Sequence, residues 1–212
     1  MPPLVTTPIA PYTQRPMPDT LLKNRAVEAQ AVVVGASAGG VQALLAILSA
    51  LPASFRLPIV VVIHLPADRE SQLSELSGDR LHMAVQEAGD KQAISQGTVY
   101  FAGRGYHLSV ENDRTFSLSC KPLLNYSRPS IDILMESAAN VYQQGLVGVL
   151  LTGANAAGAA GLAAIKQRGG LTIVQDPVEA MPTAAIRTMP PDYKLSLRNI
   201  HGRLLGLDGL RT

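Results

Sequence analysis

The chain has 212 residues, of which 47% are hydrophobic and 16% charged, and its formal net charge is +2. That suits one domain with a sizeable core and gives no support to nucleic-acid binding, because no dense basic block is present. Aromatic residues make up only 4% and tryptophan is absent, which argues against a stacking platform for bases. No apolar run reaches the length of a membrane span and the N-terminus has no apolar signal core, so the expectation is a cytoplasmic protein without membrane insertion. The single cysteine, Cys120, excludes an internal disulfide and reads as a packed thiol in a reducing compartment.

The first 28 residues carry six prolines and few large apolar side chains, and read as a Pro-rich tail or linker. Residues 29–212 form the expected domain. Ala31–Ala36 is a continuous apolar run, the mark of a strand buried on both faces. A helix is predicted over Gly40–Leu51, stopped by Pro52, then a buried strand over Pro58–His64 and a helix over Ser71–Leu81. Gly97–Ala102 reads as a shorter strand. Leu108–Val110 and Phe116–Ser119 read as two more, joined by the turn Glu111-Asn112-Asp113-Arg114. The spacing predicts a helix over Ser130–Tyr142 with Ser130 as N-cap after the Arg128-Pro129 break. Leu146–Thr152 is a third buried strand, Ala159–Gln167 a helix closed by Gly169-Gly170, and Leu171–Gln175 a fourth buried strand. This alternation predicts an α/β fold: a doubly wound, mostly parallel sheet with helices on both faces and a small antiparallel portion near residues 97–120.

The first strand ends in Gly35-Ala36-Ser37-Ala38-Gly39-Gly40, and an apolar helical segment follows. Strand, G-x-S-x-G and helix in that order form a nucleophile-elbow pattern. A serine on such a turn is pushed out of the sheet. The first amides of the next helix lack intrahelical partners and point towards its oxygen. The same glycines also serve in doubly wound folds to bind phosphate or simply to turn tightly. The dinucleotide fingerprint fails here, since Ser37 stands where it needs glycine, and no G-x-x-x-x-G-K-[ST] loop is present.

His64 closes the second strand. Consecutive parallel strands in a right-handed unit put their carboxyl ends close together, about 5 Å apart if adjacent. A histidine there is placed to take a proton from Ser37, or to be a hydrogen-bonded residue at a strand end. His82 reads as a loop residue, His107 as a packed strand start and His201 as a residue near the C-terminus. No two histidines have metal-ligand spacing and there is no C-x-x-C, so no metal and no cofactor are expected. The loop after the third strand, Thr152-Gly153-Ala154-Asn155-Ala156-Ala157-Gly158, is where a carboxylate orienting His64 belongs, yet it has none. Asn155 is the nearest polar substitute and equally a turn or cap residue.

A set of motifs in fixed order carries a resemblance to a known family. They are Gly35–Gly40, His64-Leu65-Pro66, Gly97-x-Val99-Tyr100-x-Ala102, His107-Leu108, Arg128-Pro129-Ser130-Ile131-Asp132, Leu151-Thr152-Gly153 and Met181-Pro182. In this the chain resembles the catalytic domain of the CheB chemotaxis methylesterases from about Ala31 to Leu207. The resemblance implies a doubly wound α/β serine hydrolase that demethylates glutamates on chemoreceptor-type helical signalling domains, with glutamine deamidation in many members. It implies Ser37 as nucleophile, His64 as base and Ala154 as an oxyanion donor beside Ala38. The family's third triad residue, an aspartate, falls at Ala157, so turnover is expected to be weakened. A catalytically impaired binding or regulatory module is the alternative. A nucleotide-binding α/β module rests on fold analogy alone. Many family members carry a receiver domain before the catalytic one; here a short tail stands there, and a regulator acting in trans is expected.

Overall fold

The computed structural model describes residues 28–64, 81–153, 156–176 and 180–209. The expected helix over Ser71–Leu81 and nearly all of the expected tail lie outside them, apart from Glu28 and Leu81. Seven strands form one all-parallel sheet: β1 (Ala31–Ala36), β2 (Ile59–Ile63), β3 (Ala84–Glu87), β4 (Thr98–Phe101), β7 (Leu146–Leu150), β8 (Leu171–Gln175) and β9 (Tyr193–Leu195). Their order is β3-β4-β2-β1-β7-β8-β9. β5 (His107–Val110) and β6 (Phe116–Ser119) pair antiparallel as a separate hairpin. The antiparallel portion is therefore narrower than expected, because β4 joins the parallel sheet beside β2.

Helices cover both faces. On one side α1 (Gly40–Leu48) and α5 (Leu197–Gly209) bury Leu44, Leu48, Ile200 and Leu204 against Val32 and Val34. On the other, α2 (Ile131–Tyr142), α3 (Ala159–Gln167) and α4 (Ala180–Thr188) bury Ile131, Leu134, Leu162 and Met181 against Ala31 and Val33. The alternate residues of β1 thus feed two different cores, which is why the strand reads as an unbroken apolar run. The hairpin packs onto the second core through Leu108, Val110 and Phe116, with Phe116 edge-on to Tyr100 at 4.9 Å.

α1 ends at Leu48, three residues short of the expected Leu51, in a turn where Leu51 N–H donates to Leu48 O. Ser130 caps α2 as expected, its hydroxyl accepting from Ile133 N–H. Cys120 corrects the sequence reading: it is exposed, on the segment that follows β6, and not a packed thiol. His107 is fully buried at the start of β5, as expected for a packed strand start.

The chain runs outward from β1 to β2 and β4, then returns to lay β7, β8 and β9 on the other side. Strand order reverses between β1 and β7. In open parallel sheets the crevice at that switch point, outside the carboxyl ends of the strands, is where ligands bind.

Candidate active site

Ser37 follows directly on β1, and His64 directly on β2. The strands pair in register, with Ala36 opposite Ile63, and His64 N–H donates to Ala36 O at 3.0 Å. The two residues therefore leave the sheet side by side. On the other flank of β1, Ser37 N–H donates to Thr152 O at 3.0 Å, which ties the serine turn to the end of β7. Thr152 completes this tie: its hydroxyl donates to Ala38 O at 3.2 Å, and its N–H donates to the Gln175 side chain at 3.0 Å.

Local sequence explains the turn. Gly39 stands at the N-cap of α1 with φ +74°, a left-handed conformation that costs glycine nothing and lets the chain reverse into the helix within three residues. Gly153 is needed for a different reason. A Cβ there would lie 2.7 Å from Met181 Sδ and 2.9 Å from Ser37 Cβ, so any side chain at 153 would press on the serine. Ser37 is half-buried, and its hydroxyl makes no hydrogen bond with a described residue. Ala38 is exposed, and its N–H likewise donates to no described acceptor.

The His64 ring is held by a segment that sequence reasoning did not single out for this role. Its Nε2 lies 3.1 Å from Pro129 O. A carbonyl can only accept, so Nε2 carries the proton, and Nδ1 is left as the lone-pair nitrogen of the neutral ring. Nδ1 meets the Ser127 hydroxyl at 3.4 Å, and no hydrogen bond joins His64 to Ser37 in this conformation. Burial lowers the His64 pKa below its usual value. The Pro129 carbonyl and the charge of Asp132 act in the opposite direction. The imidazole is thereby kept neutral, the state a base needs.

Asp132 is 3% exposed, in the first turn of α2. Its carboxylate accepts from Gly158 N–H at 3.1 Å and Gly161 N–H at 2.8 Å, so it clamps the N-terminus of α2 to that of α3. The helix N-termini favour the negative charge. Ala157 is 4% exposed, packed in the same apolar cluster as Ile131 and Leu134. Ala154 and Asn155 lie outside the described residues. His82 is exposed, and His201, on α5, donates from Nε2 to Ala50 O, just past the end of α1 and far from the pair in the fold. Among the described residues no group of acidic, histidine and cysteine side chains could hold a metal. No described helix is long and apolar enough to cross a membrane.

Two cavities flank the pair. One of about 320 Å³ is lined by His64, Arg104, Tyr126, Ser127, Arg128 and neighbouring backbone. The other, about 520 Å³, opens over the serine turn between Ala38, Gln42, Thr152 and Gln175.

A family model described as CheB methylesterase matches residues 32–204. The chain belongs to the CheB methylesterase family. It is 45% identical over 183 residues to a Leptospira interrogans protein with the provisional name protein-glutamate methylesterase/protein-glutamine glutaminase, covering 84% of this chain and 95% of that one. It is 32% identical over 187 residues to the Clostridium acetobutylicum protein-glutamate methylesterase/protein-glutamine glutaminase, but spans only 54% of that protein's length. The crystal structure of the Thermotoga maritima CheB methylesterase catalytic domain superposes with a TM-score of 0.79 at 32% identity, covering 84% of this chain and 98% of that one. The doubly wound fold expected from sequence is that of the family, whose members are carboxylic ester hydrolases.

The residues missed by sequence reasoning are Pro129, Ser127 and Asp132. The run Arg128–Asp132 was visible as a motif. Its contribution to the histidine is a backbone carbonyl, and a carbonyl has no residue-type signature.

Proposed function

We propose that this chain hydrolyses methyl esters of glutamate side chains on a helical, chemoreceptor-type signalling protein, with Ser37 as nucleophile and His64 as base. The single observation that carries the reading is the in-register exit of Ser37 and His64 from adjacent parallel strands at the switch point, with the histidine kept neutral by burial. When substrate is seated, Nδ1 exchanges its long contact with Ser127 for the Ser37 hydroxyl; such bonds are commonly loose before substrate binds. Ser37 Oγ forms a bond to the ester carbonyl carbon and its proton passes to His64. The oxyanion is held by the N–H groups of Ala38 and Ala154. Collapse breaks the bond to methoxide, which takes the proton from His64 and leaves as methanol. Water, deprotonated by His64, then splits the glutamyl-Ser37 ester and restores the serine. With a glutamine substrate the leaving group is ammonia.

Nothing charged stands at Ala157 to stabilise the imidazolium formed during attack. The Pro129 carbonyl orients the ring but contributes only a dipole. In comparable triads loss of the carboxylate costs roughly 10⁴-fold in turnover and leaves real residual activity. The chain is thus a slow methylesterase, acting in the cytoplasm and open to a regulator in trans. The vacancy at Ala157 also supports a second reading, a family member that binds its target without turning it over.

Reaction with a serine-directed fluorophosphonate separates the two. The expected result is one label per chain, on Ser37, abolished by Ser37→Ala. Absence of labelling in folded protein would leave only the binding reading.

A further inference from the structure

The four large apolar side chains that the described residues expose are Tyr106, Leu123, Leu124 and Tyr126, and all belong to two loops beside His64. Exposed apolar side chains gathered beside a site mouth mark an interaction surface. The segment that carries three of them is firmly held. Leu124 and Ser127 exchange backbone hydrogen bonds around a two-residue turn. The Arg128 guanidinium donates to the carbonyls of Cys120 and Lys121 at 2.9 and 3.0 Å, and His107 Nε2 donates to Pro122 O at 3.0 Å.

The turn is built against ordinary preference. Asn125 and Tyr126 have φ of +50° and +61°, as a turn with two left-handed residues requires. Asparagine tolerates this conformation; an aromatic residue is a poor choice for it. Tyr126 is nevertheless there, 97% exposed, gaining nothing from packing within its own chain. Strain of this kind, kept beside an active centre, points to use by a ligand. The 320 Å³ cavity that the turn walls off is lined, among the described residues, by Arg104 and Arg128 as well as His64.

We propose that the Tyr126 turn, with Leu123 and Tyr106, is a preformed docking ridge for an amphipathic α-helix whose reactive glutamate is flanked by further carboxylates one helical turn away. The apolar stripe of the helix lies on the ridge. A flanking carboxylate enters the cavity towards Arg104 and Arg128, whose positive charge attracts it. Residues three or four apart on a helix share one face, so one docked helix presents both the reactive side chain and its acidic neighbour. This inference rests on the methylesterase reading and names how that site selects its substrate. A rigid apolar ridge needs no ordering on binding, which favours affinity.

The test uses the Ser37→Ala chain, so that binding is read without turnover. The probe is a fluorescein-labelled 20-residue synthetic helix with a leucine stripe and glutamates one turn apart, and its anisotropy is the readout. The expected result is a Kd about tenfold higher when the glutamates become glutamines, and about tenfold higher again for Arg104→Gln. Tyr126→Gly is the decisive variant. Glycine suits the left-handed turn, so the thermal midpoint should hold or rise while the helix binds about tenfold more weakly. Unchanged affinity in Tyr126→Gly would overturn the proposal. So would binding that does not distinguish glutamate from glutamine, or a preference for vesicles of anionic phospholipid over the helix. If methanol is released from a methylated receptor fragment and yet Tyr126→Gly leaves affinity intact, docking fails while the methylesterase reading stands.

Discussion

Two connections at the carboxyl edge of the sheet enter their helices in the same way and carry different chemistry. The β1–α1 turn and the β7–α3 turn each leave a buried strand and enter a helix through a left-handed glycine, Gly39 at φ +74° and Gly158 at φ +82°, with ψ within a degree of each other. Thr152 ties the one to the other. The first turn lifts Ser37 out of the sheet. The second places Ala157 in an apolar cluster. The pair teaches that one backbone device presents a polar side chain in one turn and buries an apolar one in the other. Glycine geometry, strand register and the Asp132 clamp hold the frame.

The comparison breaks most severely at the clamp. Asp132→Asn replaces one carboxylate oxygen with a donor facing an amide. It should cost about 3 kcal/mol of stability, since a charged, buried acceptor is lost and one N–H is left unpaired. Chemical denaturation measures this, and a loss under 1 kcal/mol would show that the two turns are held together by packing alone. Next in size is Ser37→Ala. Triad effects are strongly non-additive, so under the proposed reading of Ala157 as a vacant third position the serine should account for about a further 10²-fold in methanol release. Gly153→Ala pushes a methyl group towards Ser37 Cβ and Met181 Sδ, and should lower kcat about tenfold with little change in KM, because displacement of a nucleophile by a fraction of an ångström is enough.

The smallest effect is on pH. The His64 pKa is depressed in the folded chain relative to its ordinary 6.5. The unfolded chain therefore takes up the proton before the folded one does. The stability this contributes is complete above pH 6.5 and is lost as pH falls through the lowered folded value. The acid limb of the rate profile should likewise fall below pH 6.5. His64→Gln should flatten the stability difference across this window, as differential scanning calorimetry at pH 5 and pH 7.5 would show.

How legible this was depends on what each element displays in its side chains. β1, β2, β7 and β8 were readable because strands buried on both faces must be apolar throughout. β3, Ala-Val-Gln-Glu at the sheet edge, is mostly exposed and has no such pattern. β9 is three residues long. α5 contains Gly202, Gly206 and Gly209, which weaken its local preference, and it is held by Ile200, Leu204 and Leu207 at helical spacing against the core. At the site, the reading of Ala157 as a vacant position came from the resemblance alone, while the side-by-side exit of Ser37 and His64 was legible from their strand-end positions. The Pro129 carbonyl was not, because proline's carbonyl is the same as every other. Nor was the exposure of Cys120, because a lone cysteine after a strand carries no signal of whether its segment packs or faces solvent.

The most direct measurement is methanol release from a methylated receptor fragment by three forms of the chain: the natural sequence, Ala157→Asp, and Ala157→Asp combined with Ser37→Ala. Ala157→Asp should be faster than the natural chain by up to about 10⁴-fold, because the new carboxylate stabilises the imidazolium of His64. The combined variant should fall to background. If the natural chain is already as fast as Ala157→Asp, the frame orients and charges His64 without a residue at 157, and the central claim of a vacant third position is wrong.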